Sequence, residues 1–195
     1  RWTFGYTLEG DLEWVVDPLG DTTPDPDDYK TSYTYDTWGQ LLTATDANGN
    51  TTTHPSFDPN GYPRTITDPL TRATTYAYDV RGNVTSVTDA LLKTSTYQYD
   101  AFGRSGESRV PIDQAAGQYV VTPAPVYDPN DNVTIETAPN GAVTTAEYDA
   151  ADRPTRMVAP RDTPTGPDRV ATMTYDDVGN LVSETEPKGS LTPTD

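Results

Sequence analysis

An aromatic-aspartate pair returns along this chain at Tyr35-Asp36, Phe57-Asp58, Tyr78-Asp79, Tyr99-Asp100, Tyr127-Asp128, Tyr148-Asp149 and Tyr175-Asp176. Successive aspartates are 22, 21, 21, 28, 21 and 27 residues apart, a base period of 21 with two longer units. A step that regular calls for a stacked array of like units, each touching its neighbours, instead of one closed core.

Within a unit the pattern is that of two strands and a turn. Around the third pair, Tyr76 and Tyr78 lie two apart and share one face of an extended strand, while Thr75 and Ala77 point the other way. Tyr33 with Tyr35 and Tyr97 with Tyr99 repeat the arrangement. Asp79 opens a turn that Gly82 closes, since aspartate bonds its own backbone and glycine takes positive φ without a Cβ clash. Val84, Thr85 and Val87 then restart a β-branched run, which favours a strand.

The turn glycine recurs at Gly39, Gly61, Gly82, Gly103 and Gly179, and Asp131 and Asp152 hold its place in two copies. Aspartate tolerates the left-handed region better than most residues, so the turn survives the exchange. About ten residues on stands a second turn signal: Asp17-Pro-Leu-Gly20, Asp46-Ala-Asn-Gly49, Ala138-Pro-Asn-Gly141 and Glu186-Pro-Lys-Gly189. Each unit reads strand, turn, strand, turn.

These residues resemble the tyrosine-aspartate (YD) repeat, also called the RHS repeat, of bacterial RHS proteins, of the B and C components of insecticidal Tc toxins, and of animal teneurins. The resemblance covers nearly the whole chain. It implies an all-β fold, tandem β-hairpins forming a curved or spiralling antiparallel strip, with the repeats as the wall of a hollow shell. In the toxin members that shell is implied to enclose a polypeptide cargo. Nothing in the chain matches the family's self-cleaving aspartate segment.

Residues 1–30 are expected to hold a degenerate first repeat, Tyr6-Thr-Leu-Glu-Gly10, followed by an acidic proline-rich loop, Asp21 to Asp28. Residues 31–195 hold the tandem repeats, with longer units at 100–128 and 149–176. The extra residues, rich in proline (Pro111, Pro123 and Pro125; Pro154, Pro160, Pro164 and Pro167), are expected to form loops at one edge. Pro55 beside Phe57 marks an irregular strand, because proline removes a ladder donor. The chain lacks an initiator methionine and starts in mid-repeat, as a segment of a longer protein would.

Hydrophobic residues make up only 33% of the chain, so its 13 tyrosines are expected to supply much of the buried area, each keeping a hydroxyl for a partner. A net charge of −17, with 13 scattered Lys and Arg, argues against nucleic acid as a partner. Without cysteine there is no disulfide or thiolate chemistry. No apolar run approaches a membrane span.

Candidate chemistry is sparse. Asp46-Ala-Asn-Gly-Asn50 and Asp128-Pro-Asn-Asp-Asn132 space oxygens like a calcium loop, but Phe57 and Pro139 stand where its closing glutamate belongs, and turn chemistry explains the same residues. His54, the single histidine, has no nucleophile motif beside it. The repeated Tyr-Asp positions therefore read as scaffold, with no catalytic, cofactor or metal residue assigned.

The leading expectation is a non-enzymatic structural segment of a larger secreted or cell-surface bacterial protein, part of a shell wall or of an extended filament. Its partners would be flanking repeats, an enclosed polypeptide, or identical copies edge to edge. The alternative is an extracellular adhesion or glycan-binding module using exposed tyrosines, Trp38 and the proline-rich loops. An enzyme would need a polar cluster that breaks the period.

Overall fold

The computed structural model describes residues 1–19, 25, 28–160 and 168–185. Gly20, most of the acidic loop, Pro164, Pro167 and the turn at Glu186 to Gly189 lie outside the described residues. The chain forms two compact units, residues 1–96 and 97–195. Every regular element among the described residues is a β-strand.

The first unit contains β1 (Thr3–Tyr6), β2 (Leu12–Val16), β3 (Lys30–Tyr35), β4 (Leu41–Thr45), β5 (Thr51–Phe57), β6 (Pro63–Thr67), β7 (Ala73–Tyr78) and β8 (Val84–Thr88), and the start of β9 (Thr94–Tyr99). The second holds β10 (Ser105–Asp113), β11 (Gln118–Thr122), β12 (Val126–Tyr127), β13 (Val133–Thr137), β14 (Val143–Tyr148), β15 (Pro154–Ala159), β16 (Arg169–Tyr175) and β17 (Leu181–Thr185). Strand order follows chain order, β1 to β11 in one sheet and β12 to β17 in another, so the fold is a run of tandem hairpins in open sheets.

Every Tyr-Asp turn has one geometry. At the third pair the Asp79 amide donates to the Asn83 carbonyl at 2.9 Å and the Gly82 amide to the Asp79 carbonyl at 3.1 Å. Gly82 has φ +88°, and the ladder shifts register between Ala77 and Tyr78. This is a type I turn closed by a left-handed residue and a bulge, the loop that lets two strands keep their right-handed twist. The second turns are built the same way: the Asp46 amide donates to the Asn50 carbonyl at 3.0 Å and the Gly49 amide to the Asp46 carbonyl at 2.9 Å.

Two further second turns, at Asp68 and Asp89, carry no glycine, and there Thr71 (φ +63°) and Leu92 (φ +63°) take the left-handed conformation. Neither turn carries the glycine that marks the other second turns in the sequence. The longer unit at 100–128 spends its extra residues on a hairpin, β10 paired with β11, where loops were expected. The irregularity expected at Pro55 is present as a register break between Thr53 and Ser56.

One face of the first unit is covered with small hydroxyls that oppose each other from strand to strand: Thr43 with Thr53, Thr53 with Thr67, Thr65 with Thr75, and Thr75 with Thr88. The hydroxyls of Thr34 and Thr43 lie 2.6 Å apart, and those of Thr88 and Thr94 2.8 Å. β-branched pairs of this kind stabilise a pleated surface directly. The other face carries the tyrosines. Among the described residues only Val16 is buried. The tyrosines are therefore half-buried at best, not enclosed in columns, because an open sheet offers no second layer to cover them. One stack, Tyr62 on Tyr78 at 5.2 Å between ring centroids, shows the contact such a surface allows.

Candidate functional site

The recurrent site of this chain is the joint between one hairpin and the next. It has three parts, and the first is the tyrosine hydroxyl. Tyr35 donates to the Leu12 carbonyl at 2.9 Å, Tyr78 to Pro63 at 2.8 Å, Tyr148 to Val133 at 3.0 Å and Tyr175 to Pro154 at 2.9 Å. Tyr127 reaches the Ser105 carbonyl at 3.1 Å. Each acceptor is the first residue of the strand two places after the previous repeat's left-handed residue. The tyrosine thus ties its hairpin to the one before it. Burial pushes the Tyr78 and Tyr35 hydroxyls above the ordinary tyrosine range, with Tyr76 next in effect at Tyr78 and Asp11 next at Tyr35.

The second part is the aspartate, which holds the turn that places the tyrosine. Asp79 Oδ1 accepts from the amides of Arg81 and Asn83, both at 2.9 Å, and Oδ2 accepts from the Asn83 side chain at 2.9 Å. Asp36, Asp58, Asp100, Asp128, Asp149 and Asp176 accept from the amides two and four residues on in the same way. The side chain four residues on, Asn or Arg in most copies, takes the second oxygen, as Arg153 does for Asp149 at 2.7 Å. Those donors hold the carboxyls of Asp79, Asp128, Asp149 and Asp176 below the usual range, with the side-chain hydrogen bond the leading cause in each.

The third part is a contact that the sequence reading missed. The residue just after one repeat's left-handed position lies against the left-handed position of the next. A Cβ added to Gly82 would sit 2.6 Å from the Tyr62 ring, one on Gly61 3.1 Å from Gln40, and one on Gly179 3.4 Å from Arg153. Where aspartate replaces the glycine, the neighbour is a donor: Arg104 bonds Asp131 at 2.6 Å and Asn132 bonds Asp152 at 2.8 Å. Asp131 (φ +71°) and Asp152 (φ +60°) share the backbone of Gly39, Gly61, Gly103 and Gly179, whose φ lies between +78° and +95°. Arg104 and Arg153 also stack on the next tyrosines, Tyr127 at 4.3 Å and Tyr175 at 4.4 Å. The signal the sequence does carry is at Asp131 and Asp152, where the residue just after the preceding repeat's turn position, Arg104 or Asn132, is a donor.

Phe57 has no hydroxyl, so its joint lacks the tie. His54, in the same strand, has a buried Nδ1 without a hydrogen-bond partner among the described residues. The turn carboxylates spaced like a calcium loop bond their own turns: Asp46 accepts from Asn48, Asn50 and the Asn50 side chain, all at 2.9 Å. No cluster of three His, Cys, Asp or Glu suited to a metal occurs among the described residues. An open cleft lined by Glu9, Asp11, Tyr35, Asp36 and Trp38 is part of the first joint and carries no separate constellation. No described helix is long and apolar enough to cross a membrane.

The RHS Repeat family model matches residues 25–51, 57–94, 78–107 and 127–164, more than half of the chain. The chain belongs to the RHS repeat family. No curated protein matches it. Among solved structures, this RHS segment is similar to TcdB2-TccC3, with 17% identity over 95% of its length and a TM-score of 0.72. It is also similar to the Photorhabdus luminescens Tc holotoxin pore, with 14% identity over 98% of its length and a TM-score of 0.58. At such identities the likeness shows the fold alone. The RHS segment spans 10% of the first of those chains and 14% of the second.

Proposed function

We propose that this segment is a wall element of a larger secreted or cell-surface bacterial RHS protein, and that the wall encloses a polypeptide cargo. The observation that carries the reading is the joint, in which five tyrosines each bond back to the previous repeat. Such a site extends a surface by any number of units while leaving no pocket in which chemistry must occur. The segment is non-enzymatic on this reading: its recurrent carboxylates are turn residues, each engaged by the amides of its own loop. Likeness to TcdB2-TccC3 supports a shell in preference to a filament.

An adhesive or glycan-binding role has one observation in its favour. Trp38 and Phe102, at the same place in two Tyr-Asp turns, are 81% and 79% exposed. Aromatic faces so exposed can stack on sugar rings. Electron microscopy of the parent protein separates the two readings. A closed hollow particle holding a protease-protected polypeptide supports the wall, whereas an open rod that binds glycans supports adhesion and overturns enclosure.

A further inference from the structure

We propose that Asn140, in the turn between β13 and β14, is a site of spontaneous deamidation, promoted by the Ala142 amide that its side chain holds. The inference stands on the chemistry of one turn and not on what the parent protein encloses, so the two succeed or fail separately.

The chain has three Asn-Gly steps, at Asn48-Gly49, Asn60-Gly61 and Asn140-Gly141. Each fills the same place in its turn, and each glycine amide donates to the carbonyl three residues back, at 2.9, 3.0 and 2.8 Å. Glycine puts no Cβ beside its nitrogen, so the side-chain carbonyl of the preceding asparagine can approach it. In these respects the three steps are alike.

What separates them is the residue that opens the turn. Asp46 and Asp58 open the first two, and their Oδ1 atoms take the amides four residues on, that of Asn50 at 2.9 Å and that of Tyr62 at 2.8 Å. Ala138 opens the third and has no carboxylate. The equivalent amide, that of Ala142, donates to Asn140 Oδ1 at 3.0 Å.

That bond has two chemical effects. It folds the Asn140 side chain back along the Gly141 peptide, which brings its carbonyl carbon toward the Gly141 nitrogen. It also aims a donor at the oxygen on which negative charge develops when that nitrogen attacks. Asn140 and Gly141 are exposed, and a Cβ added to Gly141 would meet nothing within 4 Å. Water and hydroxide therefore reach the step, and a ring has room to form.

Hydroxide removes the Gly141 amide proton and the nitrogen bonds Asn140 Cγ. The bond from Cγ to the side-chain nitrogen breaks, and ammonia leaves after taking a proton from water, which regenerates the hydroxide. Water then opens the cyclic imide at either carbonyl. One opening leaves aspartate and the other isoaspartate, whose backbone runs through the side chain and is longer by a methylene. Both products add a negative charge, and the longer backbone displaces the Thr137-Val143 pair that flanks the turn.

The test is to hold the intact chain in mildly alkaline buffer, digest samples at intervals and follow each Asn-Gly step by peptide mass spectrometry. Asn140 is expected to convert about fivefold faster than Asn48 or Asn60, the weight of one neutral hydrogen bond. Ala138→Asp supplies the missing carboxylate, draws the Ala142 amide away from Asn140 and should lower its rate to that of Asn48. Conversion of Asn140 no faster than the other two overturns the inference, and so does a fast Asn140 that Ala138→Asp leaves unchanged.

Discussion

Arg104 Nη1 donates to Asp131 Oδ1 at 2.6 Å across 27 residues of sequence, joining one repeat's turn to the next at the place where other repeats have glycine. The same guanidinium bonds Asp100 through Nε at 2.6 Å and lies on the ring of Tyr127. The pair shows what the chain does when a turn loses its glycine: it keeps the left-handed backbone and supplies a cation to the new carboxylate. Arg104→Gln is therefore expected to loosen this joint in the native background and to matter less beside Asp131→Gly. The coupling, read by hydrogen exchange in β12 and β13, should shrink as salt rises, since the pair is partly exposed. Equal effects of Arg104→Gln in both backgrounds would contradict the pairing.

Gly82 and Gly49 separate conformational from steric demand. Both have positive φ, at +88° and +79°, so alanine at either meets the left-handed penalty of about 1 kcal/mol. Only at Gly82 does the added Cβ strike a ring, that of Tyr62, whose stack on Tyr78 is worth roughly another 1 kcal/mol. Gly82→Ala should thus cost about twice as much as Gly49→Ala in denaturant unfolding. Equal costs would mean that the Tyr62 ring moves aside freely.

The turn carboxylates set a pH dependence. The carboxyls of Asp46, Asp68, Asp79, Asp149 and Asp176 titrate below their ordinary value because the side chain four residues on donates to the charged form. A depressed carboxyl stabilises the fold above its unfolded value of about 4 and ceases to do so as pH falls through the folded value. Stability should be flat from neutrality down to about pH 5 and then fall steeply. Tyr78 works in the opposite sense: its raised hydroxyl stabilises below about pH 10, and the contribution is lost as pH rises through the folded value. Thermal unfolding across pH checks both limbs, and Asp79→Asn should flatten the acid one.

The period, the all-β class and the left-handed aspartates were legible because each is written in residue identity: tyrosine, aspartate and a turn former at fixed steps. Three features were not. Thr71 and Leu92 adopt positive φ against their own preference, held there by the turn amides that bond Asp68 and Asp89. The tyrosine's acceptor is a backbone carbonyl, and a carbonyl leaves no mark on the identity of Leu12, Pro63 or Val133. The neighbour of each turn glycine varies among Gln40, Tyr62 and Arg153, since glycine accepts any side chain beside it. Only at Asp131 and Asp152 does that neighbour have to be a donor, and there the sequence does record the constraint.

The tie itself is tested most directly by comparing two tyrosines on one strand. Tyr78 donates to the Pro63 carbonyl at 2.8 Å, whereas the Tyr76 hydroxyl on the same face has no such bond among the described residues. Hydrogen exchange of the β6 and β7 amides would be measured in Tyr78→Phe and Tyr76→Phe. The joint predicts a loss of about 1 kcal/mol in the opening free energy for Tyr78→Phe. For Tyr76→Phe it predicts a change within about 0.5 kcal/mol. Indistinguishable exchange in the two variants would contradict the claim that the tyrosine hydroxyl joins one repeat to the next.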